Sequence, residues 1–246
     1  MTGEGYDTFL PAQHFHVSRK RPVRLIVVHC TVSPESGTGA EAVARYFAKG
    51  ERRASAHCVV DSNSAVGCVH DGDTAFAAAG ANADGWHLEL VGYPDQSLAQ
   101  WTDSFSRSMF ARAAPLVKAR ASKWGIPLRF LSVAEVRNGA KGLCTHHDVS
   151  LAFPEVSTGH WDPGPHFPKG EFLAAVKGQE DEDVIGKDQL DDRKAAARQC
   201  FRLLNPPRNP ASQAELDKVV WAIAAKGYEA TVVAFMDHNG AGVLDK

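Results

Sequence analysis

Apolar and polar positions along the first three quarters of this chain change their period several times, and each change marks an element. Residues 25–28, Leu-Ile-Val-Val, are a short apolar run rich in β-branched residues. The run predicts a buried strand that delivers His29 at its end. After a loop holding Pro34, Gly37 and Gly39, the residues Ala40, Val43, Ala44 and Phe47 fall on one helical face, and Gly50 is placed to cap that helix. Residues 57–60 and 65–69 read as strands joined by the polar turn Asp61-Ser62-Asn63-Ser64, a hairpin. Another strand is expected over 86–91, stopped by Gly92 and Pro94. The clearest helix covers 102–124. There Phe105, Met109, Ala113, Leu116, Val117 and Trp124 keep helical spacing, Gly125 follows, and Pro115 should kink the helix. A short strand is expected around 128–131 and a short helix behind the capping-box pair Ser132 and Glu135. A last strand over 143–146 and a closing helix over 171–176 complete the pattern. Residues 1–22 read as an irregular lead-in.

Alternating strands and helices with one hairpin predict an α/β fold: a mixed central β-sheet flanked by helices, over residues 1–178. Residues 179–192 hold seven acids and one lysine, which predicts a solvated acidic linker. Residues 193–246 then offer helices around 193–204 and 212–225, broken at 205–210, and read as a small helical module that could bind cell wall. The net charge of −2 provides no strong field for nucleic acid or an anionic membrane. No apolar stretch approaches the ~20 residues of a membrane helix. Neither a nucleic-acid partner nor membrane insertion is therefore expected. Residues 1–13 lack a basic start followed by an apolar run, so no secretory signal is expected and synthesis is placed in the cytoplasm. Five cysteines without a Cys-x-x-Cys pair read as buried free thiols.

Candidate chemistry centres on the segment Thr-Gly-His-Trp-Asp-Pro-Gly-Pro-His-Phe-Pro, residues 158–168. Proline locks its own backbone and removes a donor, so this reads as a rigid loop built to present Asp162. His29 stands at a strand end, and His146 and His147 lie in Cys-Thr-His-His-Asp. Two imidazoles and one carboxylate are a common zinc set that leaves a fourth position open for water, and an open position implies catalysis. A histidine after an apolar strand can equally be a hydrogen-bonded core residue, and the long-range spacing does not choose between the two.

The segments RLIVVHCTVS, ASAHCVVDSNSAV, AGANADGWHLELVGY, THHDVS and GHWDPGPHFP, in that order over roughly 23–176, resemble the zinc N-acetylmuramoyl-L-alanine amidases. That family includes phage lysozymes of the amidase type, cell-wall recycling amidases and peptidoglycan recognition proteins. The resemblance implies a mixed sheet flanked by helices, a Zn2+ cofactor, bacterial peptidoglycan as substrate, and cleavage of the amide between N-acetylmuramic acid and L-alanine. It also implies His29, His146 and Asp162 as metal ligands. His146 is preferred because it precedes Asp148 by two residues, with His147 as the open alternative. By the same resemblance Glu89 is the general base and acid, with Leu88 and Leu90 facing away from it. His160 stands where relatives often carry an oxyanion-stabilising lysine. Two positions depart from the family pattern: Ala56, where many relatives have tyrosine, and Ala78, where many have histidine. His57, His87 and His166 read as structural or rim residues.

The finer expectation is a phage endolysin that acts on the wall after release. The alternatives are a non-catalytic peptidoglycan-binding protein of the same fold, or an unrelated zinc hydrolase of small amides. Asp237, Asn239, Gly242 and Asp245 imitate part of a calcium loop, but Ala241 breaks the pattern, and a tail is expected.

Overall fold

A computed structural model describes residues 3–157 and 159–178 of the 246. The expected linker at 179–192, the module at 193–246, the calcium-like tail and Cys200 lie outside the described residues. Within them the elements run β1 Thr8–Phe9, β2 Phe15–His16, β3 Leu25–Cys30, α1 Gly39–Lys49, β4 Cys58–Val60, β5 Ala65–Gly67, β6 Thr74–Ala75 and β7 Gly85–Leu90. There follow α2 Leu98–Trp101, α3 Ser104–Trp124, α4 Val133–Arg137, β8 Gly142–Thr145, α5 His146–Ala152 and α6 Lys169–Lys177. One sheet of six strands has the order β1-β5-β4-β7-β3-β8, and β2 pairs with β6 separately. Every pairing in the larger sheet is parallel except the β4–β5 hairpin. The mixed sheet flanked by helices is the architecture that the hydrophobic pattern predicts.

Both faces of the sheet are covered, which is why β3 is buried throughout and apolar over its first four residues. Strand side chains alternate between faces. Ile26, Val28, Trp86, Leu88 and Leu90 enter the main core with α1 and α3 residues such as Phe47, Met109 and Val117. Leu25, Val27 and Cys144 enter a smaller cluster with Ala78, Val136 and Val149 on the other side. On that second face His29, His87 and Glu89 follow the apolar pair Leu25 and Val27 toward the C-terminal ends of the strands. Parallel α/β sheets bind ligands at this end.

Local chemistry explains the joints. Asp61 accepts hydrogen bonds from the Asn63 and Ser64 amides at 2.9 and 2.8 Å, closing the hairpin turn, and from the Ala40 amide at 3.0 Å, which ties that turn to α1. Gly50 caps α1 at φ 69°, and Asp103 caps α3 through the Ser106 amide. Ser132 and Glu135 form the expected capping box.

Three expectations need correction. The lead-in is not wholly irregular, because β1 adds to the sheet edge against β5 and β2 pairs with β6. Residues 128–131 form no strand, only a single bridge from Phe130 to Leu143, because the Ser132 cap turns the chain into α4 at once. The last strand stops at Thr145, and His146 is the first residue of a helix.

Candidate active site

Three elements deliver one donor each to a common point. His29 is the fifth residue of β3, which lies between β7 and the edge strand β8. His146 opens α5. Thr145 caps that helix by accepting from the Asp148 amide at 3.1 Å, while Asp148 accepts from the Thr145 amide and hydroxyl. Lys169 of α6 also holds Asp148, at 2.9 Å. Since Thr145 pairs with Val28, the next residue of each chain, His146 and His29, fall side by side.

Asp162 comes from the proline-rich loop. Its carbonyl accepts from the His147 amide at 3.0 Å, one of the unpaired first-turn donors of α5, so the loop is clamped to the helix that carries His146. Gly164 adopts φ 98°, and a Cβ there would meet the Pro94 carbonyl at 1.7 Å, so only glycine allows this close approach. Phe167 then anchors the loop in the core, edge-on to Trp101 and Phe110 at 5.3 and 5.8 Å.

The result is a compact triangle. His29 Nδ1 lies 3.1 Å from His146 Nδ1 and 3.3 Å from one oxygen of Asp162, and His146 Nδ1 lies 3.0 Å from the other. All three residues are buried. Ligands at the ~2.0–2.1 Å bond lengths of zinc, arranged as a tetrahedron, stand about 3.3 Å apart. Two nitrogens and one carboxylate converging at these separations fit a metal. Burial would raise the Asp162 carboxyl, but hydrogen bonds and charge from His146 and His29 prevail and hold it well below the usual carboxylate range. It therefore stays anionic, as a ligand must. Burial lowers the His146 pKa, so its ring is neutral and offers a lone pair.

Glu89 stands in register with His29 on the neighbouring strand and therefore shares its face, as the alternation with Leu88 and Leu90 predicts. Its Oε2 is buried without a hydrogen-bond partner among the described residues. Burial first, and the charge of Asp162 second, push its carboxyl up to about 8. A carboxyl poised near neutrality and facing the donor triangle can both take and return a proton. His160 stacks on the His146 ring at 4.3 Å and 14°, with Nδ1 3.8 Å from Asp162. It is half exposed, and burial together with the charge of His146 lowers its pKa, which favours the neutral ring. His147 is exposed and stands outside the triangle, and His166 is also exposed.

A cleft of about 190 Å3 opens beside the triangle between Arg53, Phe76, Asn82, His146, Ser157 and His160. A larger cavity of about 940 Å3, lined by Asp7, Arg112 and Lys123 among others, shares no residue with the site.

Sequence reasoning missed two features. The Thr145-x-x-Asp148 spacing is itself a capping box and could have placed His146 on a helix. His87, expected to be structural or at the rim, is fully buried, and its Nδ1 lies 3.1 Å from His29 Nε2. No local signal marks that contact, because it depends on strand pairing.

The family described as N-acetylmuramoyl-L-alanine amidase matches residues 19–165. None of the curated proteins matches the chain. Among solved structures, Staphylococcus aureus hydrolase AmiA in complex with its ligand is 17% identical, covering 69% of this chain and 82% of its own, with a TM-score of 0.52. A selenomethionine derivative of AmpD is 19% identical, covering 72% and 99%, with a TM-score of 0.51. At these identities both are similar to this chain in fold.

Proposed function

Because this chain belongs to the N-acetylmuramoyl-L-alanine amidase family and is a peptidoglycan amidase, we propose that His29, His146 and Asp162 hold zinc, with Glu89 and His160 serving the reaction. The observation that carries this reading is the triangle of two imidazole nitrogens and one carboxylate at 3.0–3.3 Å. When bound, zinc supplies Lewis acidity, polarising the amide carbonyl and acidifying a water toward neutral pH. Glu89 would take a proton from the water that attacks the carbonyl carbon and return it to the L-alanine nitrogen as the amide C–N bond breaks. His160, stacked on His146 at the mouth of the site, donates a hydrogen bond to the charge that develops on the carbonyl oxygen. His146 stays neutral, and Asp162 stays anionic.

Convergence of all three donors favours catalysis over a binding-only role. The finer reading, lysis of a phage's host, is supported by the acidic stretch and the further residues that follow the amidase region in sequence. Digestion of purified peptidoglycan followed by end-group analysis tests the chemistry: new L-alanine amino termini appear without new reducing sugars. Asp162→Ala should lose zinc and activity together while keeping its fold by circular dichroism. Full activity in that variant refutes the ligand assignment.

A further inference from the structure

We propose that His87 is a positioning residue that fixes the tautomer and orientation of His29. The inference rests on the zinc reading above. His29 turns Nδ1 toward Asp162 and His146, and its other nitrogen, Nε2, lies 3.1 Å from His87 Nδ1. A neutral imidazole carries one proton. If Nδ1 is to offer its lone pair to a metal, that proton must sit on Nε2, and His87 Nδ1 is the acceptor that stabilises it there. Ligating histidines generally depend on such a partner at the second ring nitrogen.

The fold holds His87 rigidly to this task. Its strand β7 pairs with β3, placing His87 beside Val27, diagonal to His29 on the same face. Its amide donates to His57 Nδ1 at 2.9 Å, and the two rings stack at 5.6 Å and 16°. Gly85 makes room for the far edge of the ring, since a Cβ there would stand 2.9 Å from His87 Nε2. That Nε2 is buried and has no hydrogen-bond partner among the described residues. A buried polar atom without a partner is unfavourable for stability. Packing alone would be better served by leucine, which makes His87 a residue kept for its Nδ1 acceptor.

The test uses the full chain and compares wild type with His87→Leu, which fills the space without an acceptor, and His87→Asn, whose amide oxygen can stand near the Nδ1 position. Zinc affinity is measured by competition with a chromophoric chelator, the visible spectrum is taken on the cobalt-substituted protein, and melting is followed metal-free. His87→Leu should bind zinc about 10–100-fold more weakly with altered cobalt bands, yet melt no lower than wild type. His87→Asn should regain most of the affinity. Wild-type zinc affinity and an unchanged cobalt spectrum in His87→Leu overturn the assignment, as does an equal loss in both variants. If the leucine variant does not fold, His87→Ala takes its place in the comparison with asparagine. A wild-type protein that takes up no zinc overturns the metal reading itself, an outcome distinct from either of these.

Discussion

Replacing Glu89 by glutamine keeps the shape of the side chain and removes its titration, and the two consequences should carry opposite signs. The carboxyl is pushed up to about 8, by burial and then by the charge of Asp162. The folded protein therefore keeps a proton that the unfolded chain, with an ordinary value of 4.5, has released. A raised acid pKa means that the unfolded state binds fewer protons than the folded one between roughly pH 5 and 8, so wild-type stability falls as pH rises through that window. The slope is at most about 1.4 kcal/mol per pH unit, which by pH 7 accumulates to about 3 kcal/mol. Below pH 4 both states are protonated and the difference vanishes. Glu89→Gln should thus melt about 6–12 °C higher than wild type at pH 7 in the presence of a chelator, at roughly 2–4 °C per kcal/mol. The two proteins should converge at pH 4. Turnover on peptidoglycan should fall about 10²–10⁴-fold, the usual worth of a general acid–base group, with zinc retained. A melting difference that does not change with pH would refute the burial argument. A loss of activity smaller than tenfold would remove Glu89 from the proton transfer.

His160→Ala should retain zinc and lose about 10²-fold in turnover, whereas His147→Ala should change neither; metal analysis alongside a sacculus-clearing assay separates them. Asp71 is buried against Arg120 and accepts from it at 3.2 Å, from Lys123 at 2.9 Å and from the Trp86 indole at 3.0 Å. Burial opposes its charge, but Arg120 and Lys123 win and lower its pKa, so its stabilisation is present above the ordinary carboxylate range and is lost as pH falls below it. Asp71→Asn strands the buried Arg120 and should cost about 3–5 kcal/mol in urea unfolding at pH 7, with a smaller deficit in acid. Phe167→Ala should cost about 3–5 kcal/mol and also weaken zinc binding, because the ring anchors the loop that carries Asp162; unchanged zinc affinity would show that the prolines hold the loop without it.

Much of this architecture can be read locally. The apolar run at 25–28, the helical face through Met109 and Val117, and the cap at Ser132 each encode an element within a few residues, because period and capping are short-range properties. The rigidity of the Asp162 loop is legible for the same reason. Local reading fails where competing local and distant terms meet. Strands as short as β1 and β2 have no period to detect and exist only because Val66 and Ala75 lie beside them. The bridge at Phe130 stays a bridge because capping of the next helix outcompetes further pairing.

The donor triangle draws on both kinds of information. Residue types and the order of motifs already name His29, His146, Asp162 and Glu89, since their chemistry does not depend on where the chain takes them. The placement of His146 beside His29, the alignment of Glu89 with His29, and the contact between His87 and His29 come from strand register and from a capping box at the end of β8. Register is set by which apolar faces must be buried together across the whole sheet. A one-residue slip would turn each of these side chains to the opposite face, and no stretch of sequence taken alone contains that constraint.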